Sequence, residues 1–221
     1  MPLLLYCVLR AETQPKVPAR GVDGGEVLQS VQGSLRFWYS EISDERFRVL
    51  DVKSAALEFH EVVQAAFAEA AVIPFRYGTL VTTLDELQDR HAGFFRELER
   101  LGDSVQMEVR LVPSTSPGAA SSGTEYLRAR QAALHSVSSA AEVARQAVAD
   151  LILEWRQKGT RTGIRCFALV PRSAIEGFRT RLRDTAFGRD VSVRVSGPWP
   201  PAEFLELQSI TEPDIVGPPD G

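Results

Sequence analysis

The sequence predicts an α+β protein made of an N-terminal ferredoxin-like antiparallel sheet with two helices and a C-terminal helix-rich α+β domain. Strand-like apolar stretches alternate with amphipathic helical stretches, and each half of the 221 residues is long enough to form its own core. The single low-complexity segment, residues 113–123, is rich in Ser, Pro and Gly. We therefore expect domains at residues 1–112 and 124–221, a flexible linker between them, and a Pro-rich tail.

The N-terminal domain is expected to open with a buried strand at residues 3–10, followed by a loop at 11–25 that is rich in Pro and Gly. Residues 26–32 and 35–42 are typical of two strands joined at a Gly33-Ser34 turn. A helix should follow, because apolar residues recur there at helical spacing. Its predicted apolar face consists of Ala55, Phe59, Val62, Val63, Ala66, Phe67 and Ala70.

Residues 71–81 indicate a strand, a turn and a second strand, with Pro74 excluding a central position in the sheet. Thr83 and Glu86 have the spacing of a capping box, which predicts the start of a second helix. The apolar face of that helix is Leu84, Leu87, His91, Phe94, Phe95, Leu98 and Leu101. A strand at 105–112 then completes the order expected of an elaborated ferredoxin-like sandwich.

The C-terminal domain is expected to begin with a helical run over residues 124–158, as one bent helix or two. Its apolar residues alternate spacings of three and four, a heptad-like pattern: Leu134, Val137, Ala141, Ala144, Val148, Leu151 and Trp155. A buried strand at 165–170, a short helix with its apolar face between Ile175 and Ala186, and a strand at 190–195 follow. The prolines of Gly197-Pro198-Trp199-Pro200-Pro201 are expected to end that last strand.

Composition narrows the class of protein. A net charge of −4 argues against a dedicated nucleic-acid-binding protein, which would normally carry a basic face. Cys7 and Cys166 both lie in apolar strand-like runs and are interpreted as buried thiols in a reducing compartment. Residues 1–9 are apolar but lack a basic start and are too short for a signal peptide or a membrane span. We expect a cytoplasmic protein without a membrane segment.

No motif predicts catalysis. His60 is followed four positions later by Gln64 instead of a second zinc-binding histidine. His91 falls on the apolar face of a predicted helix, which favours a core role. Glycine-rich phosphate loops, nucleophile elbows and clusters of metal ligands are missing from the sequence. We therefore predict no catalytic, cofactor-binding or metal-binding residues, and an interaction or assembly protein is favoured. The arginines at 179–183 fit either a solvated helix face or an anionic partner.

Four segments resemble, in order, the motifs of the gas vesicle protein L/F family (GvpL/GvpF). They are Leu5-Tyr6-Cys7-Val8, the run from Val72 to Thr79, the Gly-x-x-Tyr-Leu-x-x-Arg pattern from Gly123 to Arg130, and Gly197-Pro198-Trp199-Pro200-Pro201. Three positions depart from the family pattern. Tyr77 replaces a Phe, Gln106 replaces an acidic residue, and Ala202 replaces a Tyr.

The resemblance implies a non-catalytic minor gas vesicle protein that is cytoplasmic and associated with gas vesicles. It would bind the major shell protein and other accessory proteins during gas vesicle formation, without cofactors, nucleic acid or membrane. Because the shell subunit is very hydrophobic, a partner that covers apolar surface is expected, and the Ala-rich helical seam is one candidate surface. The candidate structural or partner-contact residues are Arg76, Tyr77, Tyr126, Trp199 and Phe204.

Two other classes stay open at this point. A ligand-binding regulatory protein would use the face of a ferredoxin-like sensor domain as its pocket. An enzyme would need a cleft that gathers residues such as Arg76, His91 and Glu108.

Overall fold

The computed structural model describes residues 1–114 and 122–206. The chain forms two compact units, Met1–Asp103 together with the described residues from Phe204 onward, and Ser104–Glu203. Each unit combines an antiparallel sheet with helices, so the predicted α+β class is confirmed. Across these residues, no helix combines the length and the apolar character needed to cross a membrane.

The sheet of the first unit is built around its first strand. The strands are β1 (Leu3–Arg10), β2 (Leu28–Gln32), β3 (Leu35–Glu41), β4 (Ile73–Pro74) and β5 (Leu80–Val81). Their order is β2-β3-β1-β4, with β5 also pairing with β1, and every pair is antiparallel. The turn between β2 and β3 contains Gly33 at φ +60°, which agrees with the predicted hairpin.

This unit has three helices: α1 (Asp44–Arg48), α2 (Val52–Glu69) and α3 (His91–Leu101), the last preceded by the 3-10 segment Leu84–Arg90. Of these, α2 and α3 pack on β1. The predicted apolar face of α2 is buried from Ala55 to Ala70. The Asp51 carboxylate starts α2 by accepting the Ser54 N–H at 2.8 Å. Glu86 accepts the N–H groups of Thr82 and Thr83 at 2.7 and 3.1 Å, so its predicted capping role is confirmed.

The core of the first unit joins the sheet to α3. Its buried members are Leu5, Val8, Leu35, Phe37, Ile73, Phe75, Leu84, Leu87, Phe94 and Leu98. Beside them, the fully buried Tyr6 hydroxyl accepts the Val22 N–H at 3.0 Å and lies 2.9 Å from the Ser40 hydroxyl. Burial raises the Tyr6 pKa above its ordinary value, so the phenol stays neutral and hydrogen-bonded.

The second unit has the order βαββαβ. Its elements are β6 (Ser104–Pro113), α4 (Gly123–Ala147), β7 (Glu154–Thr160), β8 (Gly163–Pro171), α5 (Ile175–Asp184) and β9 (Val191–Trp199). The strands form an antiparallel sheet in the order β7-β8-β6-β9. Both helices contact this sheet, α4 on β6 and β8 and α5 on β9.

The structure corrects the assignment of the strand at 105–112, which belongs to the second sheet and not to the first. It is β6, paired along its whole length with β8 and β9. The βαββαβ order of a ferredoxin-like fold therefore occurs in the second unit. In the first unit, the link from β1 to β2 contains only the single 3-10 turn Val22–Gly24, so the ferredoxin-like detail predicted there is not confirmed. Residues 115–121 of the predicted linker lie outside the described residues.

Two local predictions were also wrong. The helical run expected to reach residue 158 ends at Ala147, and the residues from Glu154 form the edge strand β7. The strand expected to stop before Gly197 continues to Trp199. It can do so because β9 lies at the edge of the sheet, where Pro198 removes no central hydrogen bond, and because the register shifts between Gln106 and Glu108 of β6.

We expect both cysteines to resist thiol reagents in the native state at pH 8. Cys7 and Cys166 are free and buried, and burial raises both pKa values, that of Cys166 to about 12. Because the thiolate is the reactive form, neither thiol should react until the protein unfolds. Titration with a colorimetric disulfide reagent should count no thiols without denaturant and two with it; rapid native labelling of either would contradict the buried assignment.

Candidate partner-binding site

One apolar stripe of α4 changes from buried to exposed along the helix. Leu127, Leu134, Ala141 and Val148 follow one another at intervals of seven residues and therefore share a face. Ala141 and Val148 are fully buried in the second unit, whereas Leu127 is 63% exposed and Leu134 is 43% exposed. The stripe that packs α4 on the sheet thus continues for about two further turns, and none of the described residues covers that part of it.

The uncovered part of α4, residues 123–136, is named here the exposed end of α4. Among its described side chains, none is buried. Ser122 starts it by accepting the Glu125 N–H on its hydroxyl at 3.3 Å, and Ala, Leu, Gln and Arg residues favour the helical conformation. A helix of about 14 residues is marginal alone in water, so the packed half of α4 must stabilise this end.

Shallow grooves flank this end of the helix. A groove of about 570 Å³ runs beside Leu134 and is lined by Arg128, Gln131, Ala132, Leu134, His135 and Ser138. A smaller one of about 270 Å³ lies between α4 and the segment that leads into β9, with Val143 and Phe187 in its wall. The surface therefore combines exposed leucines with a polar border, as partner-binding surfaces do.

The Gly-Pro-Trp-Pro-Pro segment is built into the sheet at the end of β9. Trp199 is half-buried and lies opposite Gln106 of β6. Arg179 of α5 donates to the Gly197 carbonyl at 2.7 Å, which attaches the helix to this segment. Gly197 itself has φ +117°, and a Cβ there would lie 2.8 Å from the Gln106 carbonyl oxygen.

Gly197→Ala is expected to lower the free energy of unfolding by about 1–3 kcal/mol, because a side chain is strained at that φ and meets the Gln106 backbone. Gly159→Ala is the matched control, since a Cβ added at Gly159 meets no atom within 4 Å. Urea denaturation of both variants measures the difference. Equal stability of the two would contradict the close packing of β9 on β6.

Gln106 holds the chain after the double proline. Its side-chain oxygen accepts the Glu203 N–H at 2.9 Å, Arg156 donates to the Glu203 carbonyl, and Lys158 pairs with the Glu203 carboxylate. An acidic side chain at position 106 would also accept that N–H. A neutral amide does so without placing a further negative charge beside Glu203.

The predicted contact residues are divided between the two units. Arg76 and Tyr77 lie in the turn between β4 and β5, where Thr79 donates twice to the Arg76 carbonyl. The Tyr77 ring lies 5.7 Å from the rings of both Phe47 and Phe59. Burial, with the Glu58 and Asp51 carboxylates adding to it, raises the Tyr77 pKa.

The remaining predicted residues differ in their exposure. Phe204 is fully buried and belongs to the first unit, whereas Trp199 belongs to the second. Tyr126 lies in α4, but its side chain is outside the described residues. A contact role for these residues stays a prediction.

The residues suggested for a catalytic cleft have structural neighbours of their own. His91 packs its ring 5.5 Å from that of Phe37, and Arg165 holds the Glu108 carboxylate through two hydrogen bonds of 2.8 and 2.9 Å. Within the described ranges, no three His, Cys, Asp or Glu residues are grouped to hold a metal ion. The cleft between α5 and β9, about 520 Å³, is lined mainly by valines of β9 and by Arg179 and Arg183.

The sequence did not identify Leu127 as part of the α4 stripe, nor Gln106 and Arg179 as the side chains that hold the end of β9 and the chain after it. Leu127 had a signal, since it precedes Leu134 by one heptad and extends the same stripe. No local sequence pattern could have identified Gln106 and Arg179, because their hydrogen-bond partners lie 97 and 18 residues further along the chain.

Comparison with known proteins gives one family. Residues 2–206 match the family model described as gas vesicle synthesis protein GvpL/GvpF. The crystal structure of the gas vesicle protein GvpF from Anabaena sp. PCC7120 is similar with a TM-score of 0.77 and 17% identity, covering 94% of this chain and 97% of that one. The crystal structure of gas vesicle protein GvpF from Microcystis aeruginosa is similar with a TM-score of 0.75 and 15% identity. The match covers 93% of this chain and 99% of that one. Among curated proteins, none matches this chain at a significant level.

Proposed function

Because this chain belongs to the GvpL/GvpF family of gas vesicle synthesis proteins, we propose that it binds the major shell protein and other accessory proteins during gas vesicle formation. Its action is binding rather than catalysis. It works in the cytoplasm, where gas vesicles are assembled, and the shell subunit is its principal partner.

The observation that carries this proposal is the exposed end of α4. A very hydrophobic subunit that is not yet assembled needs its apolar surface covered, and an exposed helical stripe with Leu127 and Leu134 offers matching apolar surface. Binding by an apolar helix face to an apolar partner is a recurrent mode of recognition. The polar border beside Leu134 would keep the free protein soluble between encounters.

The size of the surface suits a reversible partner. Complete burial of a fully exposed leucine side chain contributes about 1.5–3 kcal/mol. Leu127 is 63% exposed and Leu134 is 43% exposed, so together they supply about as much as one such leucine. A micromolar dissociation constant corresponds to about 8 kcal/mol, so the flanking groove residues must contribute the rest. An assembly factor that releases its subunit to the growing shell needs this moderate affinity.

Co-expression of the full chain with the major shell protein tests the proposal. The expected result is that a tag on this protein retains the shell protein through purification. An unrelated tagged protein of similar size serves as the control. Absence of shell protein from the purified sample, together with no binding at micromolar concentrations, would contradict the proposed function.

A further inference from the structure

Four basic side chains form a row across the sheet of the second unit. Arg165 of β8 is paired with Lys158 of β7 on one side and with Arg110 of β6 on the other. Arg110 is in turn paired with Arg194 of β9. Residues directly opposite in antiparallel strands share a face of the sheet, so all four project to the same side. We call these residues the cationic row.

The cationic row lies on the face of the sheet opposite α4 and α5, in the exposed part of that face. Further along β8, Phe167 and Leu169 lie on the same face and are buried. The neighbours of the row, Val109, Leu111 and Cys166, point to the other face and are fully buried. The four members of the row are instead all exposed. With strands about 4.8 Å apart, the row extends for about 14 Å across the sheet.

Two of the four basic side chains in the row form ion pairs within the second unit. Arg165 pairs with Glu108 in the bidentate geometry, and Lys158 pairs with Glu203. Within residues 1–114 and 122–206, Arg110 and Arg194 form no ion pair. Like charges placed directly opposite on neighbouring strands are destabilising, so the repulsion between Arg110 and Arg194 lowers the stability of the fold. An anionic partner bound between them would remove this repulsion.

We infer that the cationic row binds an acidic segment of a partner protein. Two adjacent guanidinium groups present parallel pairs of N–H donors, which match carboxylates in bidentate geometry. The row is as long as about four residues of extended chain, which suits a short run of Asp or Glu. This surface goes beyond the proposed function, because it is separate from α4 and recognises charge instead of apolar surface.

A protein partner is favoured over a polyphosphate one. Stable binding to nucleic acid typically uses about 6–10 phosphate contacts, whereas only two cations here are unbalanced. Glu108 and Glu203 lie beside the row, so a long phosphate backbone, which carries a charge on every unit, would meet more repulsion there than a short acidic run that contacts only the row.

The test is binding of a fluorescent octaglutamate peptide to the full chain, measured by polarisation at low and at physiological salt. We expect salt-sensitive binding that Arg110→Gln with Arg194→Gln weakens at least about tenfold, since each guanidinium loses charge-assisted hydrogen bonds. The matched control, Arg48→Gln with Arg90→Gln, removes the same charge from exposed positions of the first unit and should bind as the wild type does. Leu127→Asp with Leu134→Asp should also bind the peptide normally, which separates this surface from the proposed function.

A second variant distinguishes a loss of binding from a loss of folding. Arg194→Glu places a carboxylate opposite Arg110, so it should raise the melting temperature while it weakens peptide binding. Three results would overturn the inference: no peptide binding at high micromolar protein, equal loss in the control variant, or tighter binding of single-stranded DNA or phosphatidylglycerol vesicles with the same dependence on Arg110 and Arg194.

Discussion

Phe204→Ala is expected to lower the free energy of unfolding by about 3–5 kcal/mol, the cost of deleting a buried phenyl group. The Phe204 side chain is fully buried, its carbonyl accepts a hydrogen bond from Arg100, and the next residue, Leu205, packs on the core of the first unit. The residue follows directly on the segment that Gln106 and Lys158 hold. Its loss would therefore free the end of the described chain as well as leave a cavity.

Chemical denaturation followed by circular dichroism measures this effect. Phe204→Leu is the matched control, since it keeps most of the volume and should cost less than about 1.5 kcal/mol. If Phe204→Ala were as stable as the wild type, Phe204 would be a surface residue and the structural role assigned to it would be wrong.

Leu127→Asp with Leu134→Asp is expected to weaken binding of the major shell protein at least about 100-fold. The two substitutions remove about 1.5–3 kcal/mol of apolar burial and also place two charges at the interface, which are costly to desolvate. Stability should change by less than about 0.5 kcal/mol per site, because both side chains are exposed in the free protein. Calorimetric titration of detergent-free shell subunit or shell peptide into each variant measures the loss.

The control for this pair is Leu57→Asp, which changes a leucine that is 58% exposed on α2 in the first unit. It introduces the same chemistry at similar exposure but outside the α4 stripe. If Leu57→Asp weakened binding as strongly as the two α4 substitutions, the loss would be a general effect of added charge. That result would contradict binding of the shell protein at the α4 stripe.

Local periodicity was enough to predict much of the first unit. The opening strand has the predicted ends, Leu3 and Arg10, because the sequence shows an apolar run that follows Pro2 and stops at Arg10. The buried face of α2 follows from the 3.6-residue spacing of its apolar side chains. The capping role of Glu86 could be predicted because its partners, Thr82 and Thr83, lie only four and three residues before it.

Predictions failed where distant parts of the chain decide the structure. Leu151 and Trp155 continue the heptad spacing of α4 by coincidence, but the residues from Glu154 pair with β8 and become an edge strand. That strand is largely exposed, so it lacks the alternating apolar pattern that identifies a strand. In the same way, only pairing with β8 and β9 shows which sheet β6 belongs to.

The candidate surfaces could be predicted only in part. The stripe through Leu127 and Leu134 is a feature of the sequence, but which half of it the sheet covers is a feature of the fold. The cationic row could not be foreseen, because Arg110 and Arg194 are 84 positions apart and meet only through strand register.

Site-specific crosslinking tests most directly whether the exposed end of α4 binds the major shell protein. A photo-crosslinking amino acid is introduced at position 127, at position 134 or, as the control, at position 57, and each variant is irradiated with shell protein present. We expect crosslinks to the shell protein from positions 127 and 134 and not from position 57. Crosslinks from position 57 alone, or none from α4 while the shell protein still co-purifies, would contradict it.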